Sequence, residues 1–279
     1  MLNSIGKRKD YRAGKPLSAS RRIELREQQL AALKGLSPTA FGDLRARKIL
    51  EWIWKWGYST KPIIQILSGS KRHGICDRLV KKGWLTETKT ASGLPVKSFF
   101  TLSVEGLAEV ERHAEKLHKY DFLDPYKVRQ NMLRHDLLAQ KFTLDNYLKG
   151  AIKGYETIYT SRDKSESGIK QPDVMWLMPD GKKFAIEIEL TKKWDRDWDD
   201  FRLKVIRALS DDKYDKFYLV TDSKAIKKAY EAGFKPGTFY STWKKDRYGK
   251  WFSDDQLQVP DWIGSGSTGL FTCHLLESK

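Results

Sequence analysis

The chain reads as an α/β protein led by a smaller unit of helices and a hairpin. Residues 44–82 carry apolar side chains at helical spacing, and two short extended segments follow them. From residue 126 onward helical and strand patterns alternate, as in an α/β core. Lys183 to Thr191 alternates strictly, with Phe184, Ile186, Ile188 and Leu190 on one face and Ala185, Glu187, Glu189 and Thr191 on the other. Lys216 to Thr221 is nearly all apolar, the signature of a strand covered on both sides.

Charge sets the class of partner. In 279 residues Lys and Arg number 52 against 36 Asp and Glu, a net charge of +16, which suits a protein that works on polyanions. Ten tryptophans, interleaved with cations, suit bases as well as cores. Cys76 and Cys273 have neither zinc-site nor disulfide-framework spacing, so a reducing cytoplasm is expected. The basic, polar stretch from Met1 to Arg26 has no signal-peptide character, and no apolar run is long enough to enter a membrane.

Residues 1–35 hold Lys7, Arg8, Lys9, Arg12, Lys15, Arg21 and Arg22 with few apolar side chains, which predicts a flexible basic arm with a helix starting near Ser20. Residues 36–118 form the next domain. A helix from Leu44 to Trp56 stops at Gly57, a second spans Thr60 to Leu67, and a third runs from an N-cap at Ser70 to Lys82 before Gly83. Extended segments Trp84–Thr90 and Val96–Leu102 then flank a Gly-Pro turn, and Ser103 opens a helix reaching Leu117. Three helices and a hairpin in this order resemble the winged helix-turn-helix family. In the third helix Ile75, Cys76, Leu79 and Val80 form the inner arc, which leaves Lys71, Arg72, His73, Arg78 and Lys81 as DNA-facing candidates. Lys89 and Lys97 flank the wing and are placed to contact DNA backbone.

Asp124-Pro125 marks the joint to a third region, residues 119–279. A helix over Tyr126–Leu148 carries the stripe Val128, Met132, His135, Ala139 and Phe142, so His135 points inward. Asp173 precedes the short apolar run Val174–Met178, and Pro179-Asp180-Gly181 predicts a hairpin turn that folds it back beside the alternating strand. Glu187 and Glu189 then lie about 7 Å apart on one face. Carboxylates gathered in this way repel unless a cation lies between them. Asp195–Asp212 forms the next helix, with an acidic first turn and a stripe of Trp198, Phe201, Val205, Ala208 and Leu209. Lys204 lies at the edge of that stripe. A helix over Lys224–Ala232, a strand over Thr238–Trp243 and a last strand over Leu270–Leu276 complete the chain, and no function is assigned to residues 233–279.

Gln171-Pro172-Asp173 followed by Glu187-Ile188-Glu189 resembles the PD-(D/E)xK nuclease superfamily. Glutamate stands at 189, where the commonest form of the motif has lysine. Asp, then Glu-x-Glu, Thr191 and a helix carrying Lys204 is similar to plasmid replication-relaxation proteins and MobC-type mobilisation relaxases. The resemblance implies a restriction-endonuclease-like core behind a winged helix. It assigns Mg²⁺ or Mn²⁺ to Asp173 and Glu187, with the Ile188 carbonyl as a third ligand and Glu189 for a second ion or a water, since hard cations prefer oxygen ligands. The missing lysine is sought in Lys192, Lys193 or Lys204, with Lys204 favoured, and His135 is placed beside the site. The implied function is metal-dependent, site-specific nicking of plasmid or mobile-element DNA at a transfer origin. Duplex DNA, single strand at the nick and accessory mobilisation proteins are the expected partners. Two alternatives stay open: a plasmid replication or transcription regulator whose nuclease fold does not cleave, and a general DNA endonuclease.

Overall fold

The structure is a computed structural model that describes residues 35–69, 74–161, 166–264 and 268–276, with isolated positions between 20 and 33. The basic arm expected over 1–35 falls almost wholly outside these residues. The chain divides into two compact units, Met1–Ala46 and Arg47–Lys279. In the first, Ser37 opens helix α1 (Pro38–Trp56) by accepting the Ala40 N–H at 3.1 Å, and the Arg45 guanidinium lies 4.2 Å from the Phe41 ring. The remainder of α1 belongs to the second unit.

The second unit begins with the expected order of helices and hairpin. After α1 come α2 (Lys61–Ser68), α3 (Ile75–Lys81), the antiparallel pair β1 (Leu85–Lys89) and β2 (Ser98–Leu102), and α4 (Val104–Glu111). Helix α3 begins at Ile75, since Gly74 takes φ +103° immediately before it, and the predicted start at Ser70 lies outside the described residues. The helix expected to reach Leu117 stops at Glu111. At its start Ser103 caps the Gly106 N–H, and Gly106 lets the helix close onto the Trp84 carbonyl, where any β-carbon would collide.

A five-stranded mixed sheet forms the α/β part. Its order is β3 (Gly154–Thr157), β4 (Val174–Leu177), β5 (Lys183–Ile188), β6 (Lys216–Thr221) and β9 (Phe271–Leu275). β3, β4 and β5 pair antiparallel, whereas β5, β6 and β9 run parallel. The turn between β4 and β5 forms as Pro-Asp-Gly predicts, with Gly181 at φ +88° and its N–H donating to the Met178 carbonyl. Helix α5 (Leu133–Leu148) covers one face, and α6 (Asp195–Ser210) and α7 (Lys224–Gly233) cover the other. The helix predicted from Tyr126 begins seven residues later: Val128 and Arg129 are extended, and Val128 is buried, so that stretch is broken into short 3₁₀ turns. β7 (Phe239–Lys245) and β8 (Trp251–Gln258) make a separate antiparallel hairpin.

The period-two pattern of β5 sorts its side chains onto two cores. Ala185 joins Phe201, Val205 and Leu209 of α6, Tyr230 of α7, and Phe217 and Leu219 of the sheet. Ile186 and Ile188 face the opposite way, into a core with Val174, Trp176, Ala139 and Leu144. Trp52, Trp56 and Ile63 of the helix-and-hairpin part complete that second core. Polar ties run beside it: the buried Gln140 side chain of α5 accepts from Trp52 Nε1 at 3.1 Å and Ser59 Oγ at 2.8 Å, and donates to the Tyr58 carbonyl at 2.9 Å. Three of the four hydrogen-bonding positions of that carboxamide are thereby directed at residues 52–59. Among the described residues, no helix is long and apolar enough to cross a membrane.

Candidate active site

Asp173 and Glu187 meet at the end of the β4–β5 hairpin. Pro172 precedes Asp173, and its ring biases Gln171 toward extended backbone. The Asp173 carboxylate accepts the Ile188 N–H at 2.8 Å, which fixes it beside the strand that carries Glu187. Glu187 is 5 % exposed, and β5 ends one residue later. Glu189 still donates its backbone N–H to the Val220 carbonyl at 2.9 Å, so it keeps the direction of the strand and is equally buried.

Each carboxylate has acquired a cation. Lys170 Nζ lies 2.7 Å from Glu187 Oε1, and Lys193 Nζ pairs with Glu189 Oε1. His135 Nε2 lies 3.1 Å from Asp173 Oδ2 and 3.1 Å from the Ile188 carbonyl, while its Nδ1 lies 2.9 Å from Asp136 Oδ1. Burial lowers the affinity of this imidazole for its second proton, but Asp136 and Asp173 more than offset that and push its pKa up to about 10. Both ring nitrogens therefore donate. Asp136 is held in turn by the Tyr58 hydroxyl at 2.7 Å, so a hydrogen-bonded path leads from residue 58 to the Asp173 carboxylate.

The carboxylates respond in opposite directions. Burial raises Asp173, but the His135 hydrogen bond and charge, the Ile188 N–H and Lys170 outweigh it and leave its pKa below the ordinary aspartate value. Burial also raises Glu187; the nearby Asp173 charge adds to this, Lys170 and Lys193 oppose it, and the result is a carboxyl pushed up to about 7. One oxygen of this group, Oε2, is buried with no hydrogen-bond partner among the described residues. A buried carboxylate oxygen without a donor is costly, and a bound cation is one of the few remedies. Among the described residues, no three His, Cys, Asp or Glu side chains converge as a ready-made metal cage.

Other predicted residues lie elsewhere. Lys204 Nζ pairs with Asp200 at 2.6 Å, and Lys192 Nζ stands 3.9 Å over the Trp194 ring, so neither ammonium is directed at Asp173 or Glu187. The Ile188 carbonyl, expected to face a metal, accepts from His135. Arg78, Lys81, Lys89 and Lys97 are exposed on α3 and the hairpin, whereas Lys71, Arg72 and His73 lie outside the described residues. Sequence reasoning missed Lys170, Asp136 and Tyr58. A signal for Lys170 was present, since it stands three residues before Asp173.

A cavity of about 380 Å³ is lined by residues that include Glu156, Gln171, Pro172, Met175, Lys183 and Tyr214. Burial, then the Glu187 charge, push the Tyr214 phenol up to about 12. No family profile, curated protein or solved structure matches the chain.

Proposed function

We propose that the protein is a metal-dependent endonuclease that nicks DNA, with a PD-(D/E)xK-type core and a winged helix that selects the site. The observation that carries this reading is the buried Glu187 Oε2, without a hydrogen-bond partner among the described residues, beside a second, part-buried carboxylate, Asp173. Asp173 and Glu187 fit Mg²⁺ or Mn²⁺, because a hard cation between them would satisfy that oxygen and relieve their repulsion. Such an ion supplies Lewis acidity toward the phosphoryl oxygens and lowers the pKa of a bound water.

The chain's own residues divide the remaining work. Lys170, held against Glu187, takes the part of the lysine that Glu189 displaces and neutralises charge building on the phosphate. His135 orients Asp173 and engages the Ile188 carbonyl, which removes that carbonyl from the expected ligand set. Lys193 neutralises Glu189, so Glu189 has a structural partner in place of a second ion. Arg78, Lys81, Lys89 and Lys97, with the net charge of +16, support a DNA partner. A transfer origin is the proposed target and accessory mobilisation proteins are the proposed companions, both from the resemblance.

The test is conversion of supercoiled plasmid to nicked circles in Mg²⁺ or Mn²⁺. Wild type nicks, while Asp173→Ala, Glu187→Ala and Lys170→Ala each lose about 100-fold or more, the scale of removing one transition-state contact. Equal activity in all four proteins would remove the site. Cutting of plasmids with no transfer origin would make it a general endonuclease. His135 on both Asp173 and the Ile188 carbonyl favours the non-cleaving regulator as the second reading, and tight site-specific binding with no metal-dependent cleavage identifies it.

A further inference from the structure

The β7–β8 hairpin and the N-cap of α6 present aromatic rings to solvent. Trp194 is 65 % exposed, Tyr248 78 %, Trp251 43 % and Phe252 44 %. Single exposed apolar residues are ordinary, but four rings concentrated on one hairpin and the adjoining helix start are not. Three of the four have a cation against them. Lys192 Nζ is 3.9 Å from the Trp194 ring centre, Arg196 Cζ and Lys245 Nζ are 4.5 and 5.0 Å from that of Trp251, and Arg247 Cζ is 4.7 Å from that of Tyr248.

The surface is built onto the core. Trp243 Nε1 donates to Asp199 Oδ2 at 3.0 Å, and the buried Arg202 donates to the Phe239 carbonyl at 2.9 Å, so the hairpin is held to α6 at its first strand. Lys245 pairs across the hairpin with Trp251, and Trp243 pairs with Ser253 two places further on, which puts Trp251 and Lys245 on the face that Arg196 of α6 also meets. Lys244 is matched by Asp254 at 2.7 Å, so the local acid is partly neutralised.

We propose that this surface binds single-stranded DNA, with bases stacking on Trp194 and Trp251 and phosphates meeting Lys192, Arg196 and Lys245. Aromatic faces are open to unpaired bases only, and interleaved cations follow the phosphodiester backbone between them. A protein partner would also use tryptophan and arginine, but its apolar centre would exclude charge, and here cations sit against the rings themselves. Trp194 follows Glu189 by five residues, so a strand stacked there lies along the chain segment that leaves the candidate active site. The inference shares a nucleic-acid partner with the proposed function but needs neither metal nor cleavage.

The experiment is therefore run in chelator. Fluorescence anisotropy follows a labelled oligothymidylate of about 16 nucleotides, a length within the usual site sizes, and a duplex of equal length. Trp194→Ala and Trp251→Ala each weaken oligothymidylate binding about tenfold, within the range for one stacked base, and leave duplex binding within about twofold. Trp251→Phe restores most of the affinity. Unchanged oligothymidylate binding in the double alanine variant overturns the proposal, as does equal loss on both probes. A wild-type dimer that the double variant converts to monomer with unchanged oligothymidylate affinity also overturns it, because the rings then belong to a second copy of the chain. Should Trp251→Ala unfold, the more exposed Trp194 carries the test alone. Failure of plasmid nicking with the oligothymidylate result intact would reject the nuclease reading and leave this surface standing.

Discussion

Replacing Glu187 with glutamine should make the metal-free protein more stable. The carboxyl is pushed up to about 7 by burial first and by Asp173 second, with Lys170 and Lys193 in opposition, against an ordinary value of 4.5. The folded state thus holds this proton more tightly than the unfolded state does. Its stability falls as pH climbs from the unfolded value to the folded one, and is level above that. At about 1.4 kcal/mol per pH unit, the interval corresponds to about 3 kcal/mol carried as a penalty above neutrality. Glutamine keeps the shape and removes the charge, so Glu187→Gln recovers most of that penalty at about pH 8 and little of it at about pH 5. Urea unfolding in chelator, followed by tryptophan fluorescence at both pH values, measures the difference. Added Mg²⁺ should raise the midpoint of wild type and leave that of the variant almost unmoved. A variant less stable than wild type at the higher pH, or a gain of equal size at both, would refute the argument that Glu187 is strained by desolvation.

Three further changes probe close packing and buried polar ties. Tyr58→Phe removes the donor to Asp136 and should cost about 1.5–3 kcal/mol, the range for a hydrogen bond to a charged group. If the path through Asp136 and His135 orients Asp173, the same variant also loses nicking under conditions where it is fully folded; unaltered nicking restricts Tyr58 to stability. Gly106→Ala places a β-carbon against the Trp84 carbonyl and should lower stability by about 1–3 kcal/mol, read from the urea midpoint. Arg202→Ala strips buried Asp199 of its charged partner and should cost about 3–5 kcal/mol, and a loss below about 1 kcal/mol would mean that the pair is open to water.

Strand and turn chemistry were the most legible features. The alternation over β5 correctly separated Ala185 and Glu187 from Ile186 and Ile188, because a half-buried strand has only two faces and one period. Pro179-Asp180-Gly181 gave the turn for the same local reason. Helix lengths were less legible. Apolar spacing continues through Val128 and Met132, but extended backbone at Val128 and Arg129 breaks the helix there, and tertiary burial overrides the local pattern. β3 and β8 escaped notice, since β8 is exposed along most of its length and shows no apolar face. At the site, the acidic residues could be grouped from spacing alone. Their partners could not: Lys170 reaches Glu187 across a bend, and Tyr58 reaches Asp136 from 78 residues away, a separation that no local pattern encodes.

The docking of residues 52–63 against α5 and the sheet has a consequence for how the protein can be cut apart. Trp52, Trp56 and Ile63 are core residues for both neighbours at once, and Gln140 spends its side chain on residues 52–59. Neither fragment produced by severing the chain near residue 118 would be a finished globule, because each would show water a tryptophan-sized imprint of the other. Exchange of the front part as an independent bead on a string is accordingly closed to this architecture. Any change in the front part must come by altering side chains in place, with the imprint of Trp52, Trp56 and Ile63 kept as it is.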